Sequence, residues 1–162
     1  MAAAYVGLGS NLDDPHAQIE RALHALAKLP DSVLKGSSRL FRTAPWGVTD
    51  QPAFVNAAAM IQTNLSPHDL LRELLAIERD AGRVRGGTRW GPRVLDLDLL
   101  LYADRVIDEP GLRLPHPHLH ERAFVLLPLA DIAPQLIVPG HGEVARLLAR
   151  IDTTGCEPLA AA

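Results

Sequence analysis

Residues 83 to 101, RVRGGTRWGPRVLDLDLLL, join two segments of opposite chemistry, and any fold for this chain has to accommodate both. In the first segment Arg83, Arg85, Arg89 and Arg93 are spaced through three glycines and a proline. That composition cannot sustain a helix and reads as a basic loop. The second segment, Val94 to Tyr102, is leucine-rich and reads as a buried strand whose apolar run is interrupted by Asp96 and Asp98. Strand side chains alternate between faces, so the two carboxylates project together while Leu95, Leu97 and Leu99 face the other way.

Two neighbouring carboxylates in an apolar strand repel each other and desolvate badly unless positive charge sits between them. A hard divalent cation meets that need. Mg²⁺ in particular takes one or two protein carboxylates and completes its shell with water and substrate phosphates. The arginines then become intelligible, because guanidinium forks match phosphate oxygens. The alternative is that Asp96 and Asp98 pair with the arginines and only hold the loop down. Four arginines immediately upstream favour phosphate and metal chemistry.

At 162 residues and 48% hydrophobic content the chain can bury a core without staples, and one domain over 1–152 with a loose tail at 153–162 is expected. A formal net charge of −3 argues against a nucleic-acid partner held by broad phosphate neutralisation. The single cysteine, Cys156, excludes an intrachain disulfide and fits a reducing compartment. The N-terminal stretch MAAAYVGLGSNL lacks the basic leader of a secretory signal. No uncharged run approaches the roughly 18 residues that span a bilayer. A cytoplasmic monomer without membrane partners is the expectation.

The element order is legible from patterning. Ala2 to Leu8 suits a central strand, with turn chemistry at Gly9-Ser10-Asn11. Asp14 and Pro15 open an amphipathic helix over 15–29. Strands follow at 33–42 and at 54–63, joined by a linker long enough to suggest a functional loop. Within the latter, Val55, Ala57, Ala59 and Ile61 share a helix-covered face, which leaves Phe54 and Asn56 on the opposite one. A helix capped at Ser66 ends at Gly82. The strand at 94–102 is followed by a turn at Ala103-Asp104, short extended pieces, helices broken at Pro128 and Pro134, and a helix over 142–151. Strand, helix, strand, strand, helix, strand is the order of an α+β ferredoxin-like sandwich. It predicts an antiparallel sheet with helices on one face, extra C-terminal helices, and a second face free to build a site.

Some residues break these patterns. Glu78 continues the buried stripe of the second helix where a leucine would be expected, and a solvated last turn is the simpler account. His116, His118 and His120 alternate, but the flanking prolines indicate a turn into a helix rather than a zinc-binding face. His116, directly after Pro115 and close in sequence to Arg122, reads better as a phosphate-contacting donor. Phe54, beside Asn56, offers an aromatic surface on the open face, and no Ser-His-Asp or Cys-His arrangement is indicated.

The motifs GSNL at 9–12, RTAPWG at 42–47, QPAFVNA at 51–57, GRVR with RWGPRVLDLDLLLY through 102, and LPHPHLHERAFVLLPL at 114–129 run in order over nearly the whole chain. Together they resemble the 6-hydroxymethyl-7,8-dihydropterin pyrophosphokinase family of the folate pathway. The resemblance implies transfer of the β,γ-pyrophosphoryl group of ATP to the pterin hydroxymethyl group, with release of AMP. It implies two Mg²⁺ ions, arriving with ATP, on Asp96 and Asp98, and catalytic roles for those aspartates together with Arg83 and Arg93. The pterin would lie between Phe54 and Phe124, read by Asn56 and by backbone around Thr43, Ala44, Pro45 and Trp46. ATP would meet Glu78, Arg85, Arg89, Trp90, Arg93, Leu99, His116 and Arg122, with the loops bearing Trp46 and Trp90 closing over both substrates. The chain departs from some members at Leu75, Gly111 and Pro117, which bears on the adenosine side. The rivals are a non-catalytic ligand-binding module of the same fold and, less favoured, a Mg²⁺-dependent nuclease.

Overall fold

The small and branched residues of β1 (Ala2–Ser10) let it take a central place in the sheet, flanked on both sides by other strands. A computed structural model of the chain describes residues 1–12, 14–44, 52–82 and 94–159. After β1, Asp14 sits in left-handed backbone and accepts the Ala17 N–H at 3.3 Å, starting α1 (Pro15–Ala27) with proline at its first turn. The chain continues through β2 (Ser32–Ser37), β3 (Phe41–Thr43) and β4 (Phe54–Thr63) to α2 (Pro67–Asp80), capped by the Ser66 hydroxyl. Then follow β5 (Asp96–Tyr102), the hairpin of β6 (Ile107–Glu109) and β7 (Leu112–Leu114), and a 3₁₀ turn at Leu119–Glu121. The chain closes with α3 (Ala123–Ile132), β8 (Ile137–Val138), β9 (Gly142–Glu143), α4 (Val144–Leu148) and β10 (Cys156–Pro158).

The main sheet is antiparallel with order β10-β3-β4-β1-β5, and β2 also pairs with β4. The fold is therefore the expected α+β sandwich, with three local differences. The single strand expected over 33–42 is two. Ser38 still exchanges hydrogen bonds with Ala58, but the Arg39 N–H leaves the ladder for Asp131 Oδ2 at 2.8 Å, and the strand restarts at Phe41. The expected loose tail contributes β10, pairing Cys156 with Thr43 and Pro158 with Phe41 at the sheet edge, where a missing N–H is tolerated. The expected helix over 142–151 shortens to α4, because Gly142 and Glu143 pair with Ile137 and Val138.

One face of the sheet packs against α1 and α2. Ile19, Ala22, Leu26, Leu70 and Leu74 bury against Ala4, Val6, Leu8, Ala57, Ala59, Ile61, Leu97 and Leu99. The other face is not open along its whole length. The register places Tyr5 opposite Leu101 and Val6 opposite Leu99, so Leu100 is an extra residue that breaks the alternation of β5. Leu100 and Leu101 therefore both enter a second core with Leu119, Val125, Leu126, Leu129, Val144 and Leu147. The C-terminal helices roof that part of the second face. The part bearing Asp96 and Asp98 precedes the bulge. Among the described residues no helix is long and apolar enough to cross a membrane.

Candidate active site

Three adjacent strands set the floor of the site. Gly9 of β1 pairs with Asn56 of β4 on one side and with Asp96 of β5 on the other, and Gly7 lies between Ala58 and Asp98. Register partners in an antiparallel sheet share a face, so Asn56 and the two aspartates project from the same side. Strand spacing places the Asn56 and Asp96 backbones about 10 Å apart, with glycine between them. A Cβ built on Gly9 would stand 2.9 Å from Asn56 Nδ2. The missing side chain is what lets the amide lie across the strand.

Asn56 is 7% exposed, and its Oδ1 accepts the Thr43 hydroxyl at 2.8 Å. Among the described residues Thr43 is the hydrogen-bond partner of this amide, whose Nδ2 end keeps donor capacity that suits a ligand edge. Phe54 sits half-buried at the start of β4, opposite Thr43 of β3. α3 packs against β3 and β4, and Phe124, in its first turn, is half-buried beside the second core. The Arg122 guanidinium lies 5.6 Å from the Phe124 ring centroid, within cation–π range, and ties the charged group to the aromatic one. Asn11, 1% exposed, donates to the Pro52 carbonyl at 3.1 Å and so fastens the end of β1 to the entry of β4.

His116 is fixed through the bulge: its N–H donates to the Leu100 carbonyl at 2.9 Å. Burial, then the Arg122 charge and His118, lower its pKa from the ordinary 6.5 to about 4. The imidazole is neutral near pH 7 and offers one N–H donor rather than a positive charge. The His118 N–H approaches His116 Nδ1 at 3.5 Å, which favours the proton on Nε2. The three alternating histidines do not share a face. His118 precedes the 3₁₀ turn, and His120 stacks on His141 with ring centroids 3.8 Å apart.

Glu78 overturns its expected solvation. It is 2% exposed, and its carboxylate accepts the Leu97 N–H at 2.7 Å. Leu99 lies in the first core, on the face away from the aspartates. Thr43, Ala44, Phe54, Asn56, Asp96, Asp98, His116, Arg122 and Phe124 are placed, whereas Pro45, Trp46, Arg83, Arg85, Arg89, Trp90 and Arg93 lie outside the described residues. Sequence reading missed the floor role of Gly9 and the approach of Cys156, whose Sγ lies 3.4 Å from Thr43 Oγ1. Both depend on cross-strand register. Only the placement of Gly9 two residues past Gly7 hinted at an open row.

The aspartates suit the expected ion. Two positions apart on one strand, half-buried, and in register with Gly7 and Gly9 of β1, they place hard oxygen ligands side by side on one face of the sheet. Among the described residues no group of three His, Cys, Asp or Glu side chains could hold a metal. A carboxylate pair suits an ion that draws its remaining oxygens from water and phosphate.

Residues 5–134 match the family model for 7,8-dihydro-6-hydroxymethylpterin-pyrophosphokinase. The 2-amino-4-hydroxy-6-hydroxymethyldihydropteridine pyrophosphokinase of Pseudomonas aeruginosa is 50% identical over 155 residues, covering 96% of this chain and 95% of that protein. The enzyme of the same name from Methylorubrum extorquens is 48% identical over 157 residues, covering 97% and 98%. Among solved structures, the wild-type Plasmodium falciparum HPPK-DHPS shares the fold, with a TM-score of 0.72 at 15% identity over 92% of this chain and 44% of that longer one. A family match over most of the chain, shared nearly end to end with relatives about half identical to it, makes this chain a member of the pterin pyrophosphokinase family, an enzyme of folate biosynthesis that moves pyrophosphate from ATP to 6-hydroxymethyl-7,8-dihydropterin.

Proposed function

We propose that transfer takes place on the part of the second face that precedes the bulge, with the pterin on the Asn56 side and the ATP phosphates on the aspartate side. The observation that carries this reading is the row Asn56–Gly9–Asp96, which holds an amide and a carboxylate about two strand spacings apart with a glycine as the strand residue between them. The pterin is an aromatic bicycle with an amide-like edge. Phe54 and Phe124 offer it apolar faces, and Asn56, braced by Thr43, offers it hydrogen bonds.

Membership of the family implies dependence on Mg²⁺ with ATP, and Asp96 and Asp98 are the residues that would hold two ions. When bound, such ions neutralise phosphate charge and orient the transferring group. In this reading Arg122, whose guanidinium lies over Phe124 and close enough to His116 to lower its pKa, supplies a permanent positive charge to the phosphates, and His116 adds a neutral N–H donor. Arg83 and Arg93 belong in the same role, toward charge that develops on the oxygens during transfer. In the transfer step the pterin hydroxymethyl oxygen bonds to the β-phosphorus of ATP, the bond from that phosphorus to the bridging α-phosphate oxygen breaks, AMP leaves with that oxygen, and the hydroxyl proton passes to solvent. ATP and the pterin are the partners, and the chain acts as a monomer in the cytoplasm.

The test is AMP release in mixtures of protein, ATP and Mg²⁺ with and without hydroxymethyldihydropterin. AMP forms only when the pterin is present, and Asn56→Ala raises the pterin KM while sparing the ATP KM. An unchanged pterin KM in that variant would remove Asn56 from the site.

A further inference from the structure

Thr43 has one hydroxyl proton, and Asn56 Oδ1 takes it at 2.8 Å. That decides the direction of the next contact. With the hydroxyl proton committed to the amide, the thiol of Cys156, 3.4 Å away, is the donor and Thr43 Oγ1 the acceptor. The chain S–H···O–H···O=C thus runs from the last strand of the protein into the site. Cys156 is 9% exposed, and burial, the largest influence on it, pushes the thiol pKa up, so the sulfur keeps the proton that it donates.

Backbone bonds hold the same junction. Cys156 is the register partner of Thr43, and the Ala44 N–H donates to the Gly155 carbonyl at 2.9 Å. Gly155 turns at a φ of +84°, a conformation that L side chains rarely adopt, and a Cβ there would stand 3.5 Å from Ala44 Cβ. The last strand therefore grips β3 where the chain leaves it, at the residues next to Asn56.

An asparagine amide has two ends of nearly equal shape and opposite hydrogen-bonding sense. With Oδ1 turned to Thr43, the Nδ2 end lies over Gly9, 2.9 Å from where a Cβ would stand. A hydroxyl that already accepts from a thiol keeps its proton for the amide oxygen and disfavours the flipped amide. We infer that β10 is a positioning strand for substrate recognition, in which Cys156, acting through Thr43, sets which end of the Asn56 amide meets the pterin edge. The inference rests on the reading of Asn56 as a pterin contact. Cys156 itself is a positioning residue and touches no substrate.

Cys156→Ala and Cys156→Ser in the full chain test it, because the two replacements differ in little but a hydroxyl donor. Cys156→Ala raises the pterin KM about threefold to tenfold, the range of one neutral hydrogen bond, and leaves kcat and the ATP KM unchanged. Cys156→Ser restores the pterin KM. In ¹⁵N NMR spectra the Asn56 side-chain NH₂ pair is sharp in the parent and in Cys156→Ser and broadened in Cys156→Ala. An unchanged pterin KM in Cys156→Ala overturns the relay. So does equal impairment of both variants with the ATP KM and thermal midpoint moving in step, which would make Cys156 a packing residue only. Asn56→Ala separates the two ideas. An unaltered pterin KM there removes the underlying reading and the proposal with it, whereas a raised one beside a silent Cys156→Ala overturns the relay alone.

Discussion

The carboxylate of Glu78 in α2 accepts the backbone N–H of Leu97 in β5 at 2.7 Å, joining helix to sheet at the residue between Asp96 and Asp98. Among the described residues β5 is an edge strand, and an edge leaves backbone groups without a ladder partner. Glu78 meets one of them from inside the protein, so a charge replaces a leucine in the stripe without leaving that N–H unsatisfied. Glu78→Ala removes the acceptor and should destabilise the fold by about 1–3 kcal/mol, with Glu78→Gln losing less because its amide oxygen can still accept. Urea unfolding of the two variants checks this, and equal stability of Glu78→Ala and parent would show that the bond contributes nothing.

Asp96→Asn and Asp98→Asn keep the shape of the strand and remove the charge. Each should lower kcat by roughly 10² to 10⁴, since metal stabilisation of transferring phosphates is worth several kcal/mol at about 1.4 kcal/mol per tenfold. Circular dichroism should be unaltered, because both side chains sit at the half-buried end of the second face rather than in either core. Near-parental turnover in both variants would take the metal away from this pair.

Gly9→Ala and Gly7→Ala differ in what the new methyl meets. At Gly9 it would lie 2.9 Å from Asn56 Nδ2, too close to tolerate without moving the amide, whereas at Gly7 its nearest neighbour is a Leu100 side-chain carbon at 3.4 Å. Gly9→Ala should raise the pterin KM by about tenfold, the equivalent of one well-placed hydrogen bond, and Gly7→Ala should change it little. Steady-state kinetics at saturating ATP decides, and equal effects of the two substitutions would deny Gly9 its role as floor.

His116 links stability to pH in a definite direction. Its folded pKa is lowered to about 4 from an ordinary 6.5, so the unfolded chain binds the proton more readily. Its contribution is complete above about pH 6.5 and is lost as pH falls toward 4, because the unfolded state gains protons over that window. His116→Gln, which keeps a donor and does not titrate, should flatten the decline of unfolding free energy across that range. Identical pH slopes for parent and variant would contradict the lowered pKa. Adding ATP with Mg²⁺ should move the His116 titration upward in NMR, since nearby phosphate charge favours the protonated ring.

Local chemistry carries far in this chain. The alternation of β5 put Asp96 and Asp98 on one face with Leu97 and Leu99 on the other, and the spacing in β4 placed Asn56 away from Ala57, Ala59 and Ile61. Both hold in the fold, because a two-residue period follows from the chain itself. Motif order was enough to name the family, and helix starts at Pro15 and Pro67 were legible because caps are local. What tertiary structure decided was every feature that depends on a partner distant in sequence. Arg39 leaves the β-ladder because Asp131 arrives from α3, and Glu78 is buried because β5 brings it an unpaired amide. Leu100 turns into the second core because β1 and β5 pair with a bulge, and residues 156–158 become a strand because β3 offers them an edge. Propensity and periodicity describe one segment at a time. Register, burial of a charge and the direction of a hydrogen-bond chain exist only between segments, and those relations set Asn56, Gly9 and Asp96 in one row.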